Sequence, residues 1–121
     1  MKDEYQAQYQ FWSGFGIPAY EENAVPDADD ISFPYLTYQA INNQWDESSQ
    51  IFVNIWTRST SWEQADTLAL AVKSRMENGG ATAGFTGGMI WFTPGTSFIQ
   101  NMGDPEDNMI RRKLLTVHAH F

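Results

Sequence analysis

A chain of 121 residues is long enough for one domain with its own core, and the absence of cysteine excludes disulfides and thiolate metal sites and fits a reducing cytoplasm. Its formal charge of −8, from 15 acidic against 7 basic residues, excludes the clustered cationic surface that sequence-independent DNA binding requires. No apolar run approaches the roughly 20 residues that span a bilayer, and Met1-Lys2-Asp3-Glu4-Tyr5 lacks the basic-then-apolar layout of a signal peptide.

Residues 3–13 are expected to form a short helix in which Tyr5, Tyr9 and Trp12, at four- and three-residue steps, make the packing face. Gly14, Gly16 and Pro18 end it. Residues 16–32 read as loop. The acids Asp27, Asp29 and Asp30 fail the calcium-loop pattern, which needs a glycine at its sixth position and a closing Glu. A hairpin over about 33–58 follows, with arms Phe33–Ile41 and Ile51–Arg58 and a polar loop, Asn42–Ser49, that carries Trp45. Pro34 has no ladder donor, so the first arm starts at an edge or pairs late. With period two, Leu36 and Tyr38 share one face of the first arm, and Ile51, Val53 and Ile55 form the helix-facing set of the second. Phe52, Asn54 and Trp56 point the other way, giving a partly aromatic face of the kind that meets another surface.

A helix over about 61–77 carries the stripe Trp62, Ala65, Ala69, Val72 and Met76, widened by Leu68. Thr60 and Glu63 fit a capping box, and Asn78-Gly79-Gly80 fits a left-handed stop. Ala81–Gly88 reads as a glycine-rich linker without a phosphate-cradling pattern. Over 89–121, a strand Met89–Thr93 stops at Pro94-Gly95, another covers Ser97–Met102, and a turn holds Asp104, Glu106 and Asp107. The last strand, Met109–Phe121, is expected to cross the sheet centre, with Arg111, Arg112 and Lys113 protruding into solvent or a partner. The expected fold is a single α+β domain over 1–121: a mainly antiparallel sheet of four to five strands packed against one long helix and a short N-terminal helix.

Chemistry is sparsely marked. His118 and His120 share a strand face, but a metal site needs further ligands and none is indicated. No nucleophile elbow exists, and the carboxylates of Asp104, Glu106 and Asp107 sit in a turn where solvation keeps them ordinary. A hydrolase built on His118 or His120 is the weakest reading, and no catalytic, cofactor or metal residue is assigned. Trp45, Trp56 and Trp91 suit a carbohydrate- or small-molecule-stacking module as the alternative to an assembly role. Five Trp and eight Phe are many for a small core and suggest buried interfaces as well.

The run Phe33-Pro34-Tyr35-Leu36-Thr37-Tyr38-Gln39, the loop after it, Ile51-Phe52-Val53-Asn54-Ile55-Trp56 and the Ser/Thr-capped helix resemble small virion proteins of long-tailed bacteriophages. These are the tail-terminator, tail-to-head joining and related minor tail or minor capsid proteins. Arg112, Leu114 and Val117 fit the basic-to-apolar closing strand of that pattern, and the likeness runs from Tyr5 to Phe121, with no place for Ala81–Gly88. The resemblance implies a non-enzymatic homo-oligomeric ring, a hexamer, at the tail–head junction of the virion, made in the host cytoplasm. Its partners would be the tail tube protein and the head connector, without membrane or sequence-specific nucleic acid. An acidic bore would let DNA pass by charge repulsion. The expected assembly interface comprises Trp45, Phe52, Trp56, Arg111, Arg112 and Lys113.

Overall fold

Strand pairing dominates the architecture. The computed structural model describes residues 4–26, 32–39, 48–77, 79–103 and 109–120; the loop bearing Trp45, the acids at 27–30, the turn at 104–108 and Phe121 lie outside the described residues. The elements are α1 (Glu4–Ser13), β1 (Ala19–Glu21), β2 (Tyr35–Tyr38), β3 (Ser48–Arg58), α2 (Glu63–Met76), β4 (Ala81–Phe85), β5 (Gly88–Gly103) and β6 (Ile110–His120). One sheet holds all strands in the order β1-β2-β3-β6-β5-β4, antiparallel except for the β1–β2 pair.

This corrects the expected sheet of four to five strands on one long helix. Among the described residues, 50% are strand and 24% helix, the two helices are short, and the sheet curls into a half-barrel, of seven strands if β5 is divided at its irregularity. The helical cover is split. α2 packs on β3, β6 and β5, whereas α1 touches both β4 and β1, the opposite ends of the strand order. A flat sheet keeps such edges tens of ångströms apart at about 4.8 Å per strand, so one ten-residue helix reaches both only because the sheet curls.

The extra strands come from segments that read as loop or linker. Ala81 and Ala83 are buried at alternate positions of β4, which returns into β5 through Thr86-Gly87, with Gly87 at φ 95°. Their small side chains and glycine resemble a linker, since they carry none of the branched or aromatic residues that favour strands. β1 forms after Pro18, whose carbonyl accepts from Leu36 N–H at 2.9 Å. Nor does Pro94-Gly95 end a strand. β5 runs through it, with five steps from Pro94 to Ile99 against two from Val117 to Leu115 on β6. β4 pairs with Gly88–Phe92, so Pro94 stands past the end of β4 and at the border of the irregular stretch, where a missing N–H is tolerated.

The stripe of α2 is placed as expected: Ala65, Ala69, Val72 and Met76 are buried and Leu68 packs beside them. Its start differs. Trp62 is the N-cap, outside the buried stripe, and Ser61 Oγ, not Thr60, accepts from Glu63 N–H at 3.1 Å. On α1 the expected Tyr5–Tyr9–Trp12 face is replaced by Ala7, Gln8 and Trp12, with both tyrosines half exposed. Trp12 lies against Phe92 and Tyr38, at 5.3 and 6.4 Å between ring centroids, and so plugs the half-barrel between β5 and β2. Leu36, Ile51, Val53, Ile55, Leu115, Val117 and Ala119 complete the core beneath the helices.

Candidate functional site

The sheet face turned away from the helices gathers three of the six expected interface residues, Phe52, Trp56 and Arg112. Cross-strand register sets Tyr35, Trp56, Arg112 and Met102 in one row across β2, β3, β6 and β5. Side chains directly opposite on one face are within contact distance. Tyr35 stacks on the Trp56 ring at 5.9 Å and 10° between planes, and the Arg112 guanidinium lies 5.0 Å from the ring centroid. These two neighbours come from opposite flanking strands, so they sandwich the indole. Its N–H donates to Thr37 Oγ1 at 3.0 Å. Trp56 therefore has neither a free ring face nor a free donor for a stacked sugar. Burial raises the Tyr35 phenol above its ordinary pKa.

Phe52 lies nearer the other end of this face, opposite Thr116, and is 40% exposed. Its N–H donates to Gln39 Oε1 at 2.8 Å, a side chain continuing the ladder where β2 stops. Beyond it, register places Gln50, His118 and Thr93 in one row, then His120 and Trp91 in the next. Trp91 is 44% exposed; one side meets the His120 ring at 4.7 Å and its N–H donates to Gly79 C=O. Thr93 Oγ1 and His120 Nε2 are 3.0 Å apart, and the two imidazoles stack at 6.4 Å. The irregular part of β5 folds over this end. A Cβ on Gly95 would stand 2.8 Å from Thr116 Cγ2 and from His118 Cδ2, so the bare glycine lets the backbone cover both. Among the described residues, no group of three or more His, Cys, Asp or Glu side chains is placed to hold a metal ion.

The basic run does not protrude as a unit. Period two sends Arg112 to the open face and turns Arg111 and Lys113 towards α2, where both cations flank the Trp62 ring at 5.6 and 5.1 Å. The Lys113 side chain is 6% exposed, pairs with Asp66 of α2 and donates to Asn101 Oδ1. Burial without a partner would cost several kcal/mol, so this closed set anchors the start of α2 to β6 and β5. Trp45 lies outside the described residues. Phe52, Trp56 and Arg112 therefore share the open face, and Arg111 and Lys113 stand behind the sheet. The sequence reading missed Tyr35 and Met102 as partners of Trp56 in the row and Gly95 as the cover over His118. Tyr35 falls opposite Trp56 in the hairpin register, whereas Arg112 meets it only through the long-range β3–β6 pairing.

No helix among the described residues is long and apolar enough to cross a membrane. Comparison with protein-family models, curated proteins and solved structures finds no match.

Proposed function

We propose that this chain is a non-enzymatic structural subunit that assembles into a ring, a hexamer, at the tail–head junction of a long-tailed bacteriophage, where it ends or joins the tail tube. The open sheet face supports the assembly role: Phe52 and Trp91 stand exposed on a half-buried surface that neither helix covers. Burying one such aromatic side chain at a subunit contact contributes about 1.5–3 kcal/mol. Two exposed aromatics on one uncovered face suit an interaction surface. The placement at a phage junction rests on the sequence resemblance, as do the tail tube protein and head connector as partners. A ring requires a heterologous contact that closes, so Phe52 and Trp91 would meet a different patch of the neighbouring copy. Phe52→Asp tests the reading, because the side chain is exposed and its loss leaves the core intact. Light scattering should show the wild type as a closed oligomer and the variant as a monomer with an unchanged circular dichroism spectrum. A variant that assembles like the wild type would remove this face from the contact.

A further inference from the structure

We propose that the groove between α1 and α2 binds a carboxylate carried on an aromatic or branched aliphatic body, with Arg75 holding the carboxylate. This site lies on the helical side of the sheet and stands independently of the assembly reading. The groove has a volume of about 590 Å³ and is lined by Gln10, Phe11, Gly14, Phe15, Ser74 and Arg75, together with Ala71. A smaller hollow of about 230 Å³ continues towards β4 and shares Gln10, Phe11 and Arg75. The main groove falls in the range of about 300–1,000 Å³ that small ligands occupy.

Three observations point to the ligand class. First, among the described residues neither hollow has an acidic residue in its lining, in a chain with 15 acids against 7 bases. An unopposed cation in an acid-free groove is the reverse of what that composition produces at random. Second, Arg75 lies over the Phe11 ring at 5.7 Å and makes no hydrogen bond or ion pair among the described residues. The ring contact consumes none of the guanidinium's five N–H donors, and their fork geometry matches a carboxylate. Third, the floor is apolar and fixed. Phe11 stacks on Phe92 at 4.7 Å, Phe15 packs edge-on to Phe11 at 5.7 Å, and Gly14 brings no side chain to fill the space. A cation in the last turn of α2 also suits the helix dipole. That accounts for the charge on α2 but not for the apolar basin beside it.

The chemistry is common to a free aromatic acid and to the C-terminus of a peptide ending in an apolar residue. The full-length protein should be titrated with 3-phenylpropanoate and, as a neutral control, 3-phenylpropanamide, following the amide resonances of Gln10, Gly14 and Arg75. The acid should give saturable shifts, with the amide weaker by about tenfold or more, the loss of one charge-assisted hydrogen bond. Arg75→Gln should weaken the acid by a similar factor. Ala71→Leu should also weaken it, because it keeps Arg75 and a good helix former while filling the groove. A parallel titration with N-acetyl-Gly-Phe assigns the source: tighter binding than the small acid identifies a peptide terminus, weaker binding a free acid. Equal affinity for acid and amide, unchanged binding in Arg75→Gln, or no saturable shift would overturn the proposal.

Discussion

Trp12 is the residue on which closure of the half-barrel depends, and two substitutions there separate its contributions. The indole is fully buried and packs against Phe11 at 4.7 Å as well as Phe15, Phe92 and Tyr38. Removing such a side chain costs about 3–5 kcal/mol, the transfer term plus the cavity left behind. That is a large share of the roughly 5–15 kcal/mol that holds a domain folded. The indole N–H is buried without a hydrogen-bond partner among the described residues. An orphaned donor costs about 1–3 kcal/mol, so Trp12→Phe loses part of the packing and relieves that cost. Trp12→Ala should therefore destabilise by about 3–5 kcal/mol, and Trp12→Phe by less than about 1.5 kcal/mol. Urea unfolding followed by far-ultraviolet circular dichroism measures both without interference from the other tryptophans. A loss below about 1 kcal/mol in Trp12→Ala would refute the argument, since a bridging plug cannot be removed so cheaply.

Four further substitutions have outcomes set by the packing. Asp66→Ala should cost about 1–2 kcal/mol, because it strips the partner from buried Lys113; Asp66 is itself 52% exposed, and solvent screening reduces the usual 3–5 kcal/mol. Lys113→Met should cost less than Asp66→Ala, as a long apolar side chain replaces the charge, and thermal melts of the two variants check the order. Gly80 sits at φ +90°, and a Cβ there would lie 2.3 Å from the Phe92 carbonyl oxygen. Gly80→Ala should destabilise by about 3 kcal/mol or more in urea titrations, because backbone cannot give way as a side-chain tip does. Tyr38 holds its phenol proton above the ordinary pKa of 10.0, through burial first and then through Glu21 and Tyr9. The folded chain thus binds that proton more tightly than the unfolded chain. Its contribution is intact below about pH 10 and is lost as pH rises through the raised value. Tyr38→Phe should flatten the alkaline fall in melting temperature.

Alternation and helical periodicity were legible wherever one face is cleanly apolar. Ile51, Val53 and Ile55 fall in the core as read, as do Ala65, Ala69, Val72 and Met76 of the α2 stripe, though not Trp62. The pattern fails where burial and hydrophobicity part company. Gln8 is fully buried on α1 and the aromatic Tyr5 and Tyr9 are half exposed, so a rule that buries the apolar residue selects the wrong face. β4 is built from alanine, threonine and glycine, whose burial comes from its place beneath α1 and not from its own preference. Pro94-Gly95 carries a turn signature, yet the chain there lies past β4 and meets no ladder on that side from it. The basic run at 111–113 looks continuous in the chain and is divided by the pleat, which sends Arg112 one way and Arg111 and Lys113 the other. Phe52 and Trp56 were legible as open-face residues, whereas the sandwich that occupies Trp56 depends on strand register, which no local pattern specifies.

Assembly through the open sheet face is the proposal on which the function rests. Electron microscopy and light scattering of the purified wild-type protein, alone and with tail tubes, test it most directly. Assembly through this face predicts closed rings of uniform size, alone or seated on tube ends, that disappear in Phe52→Asp. A protein that stays monomeric at high concentration and leaves tube ends bare would contradict it.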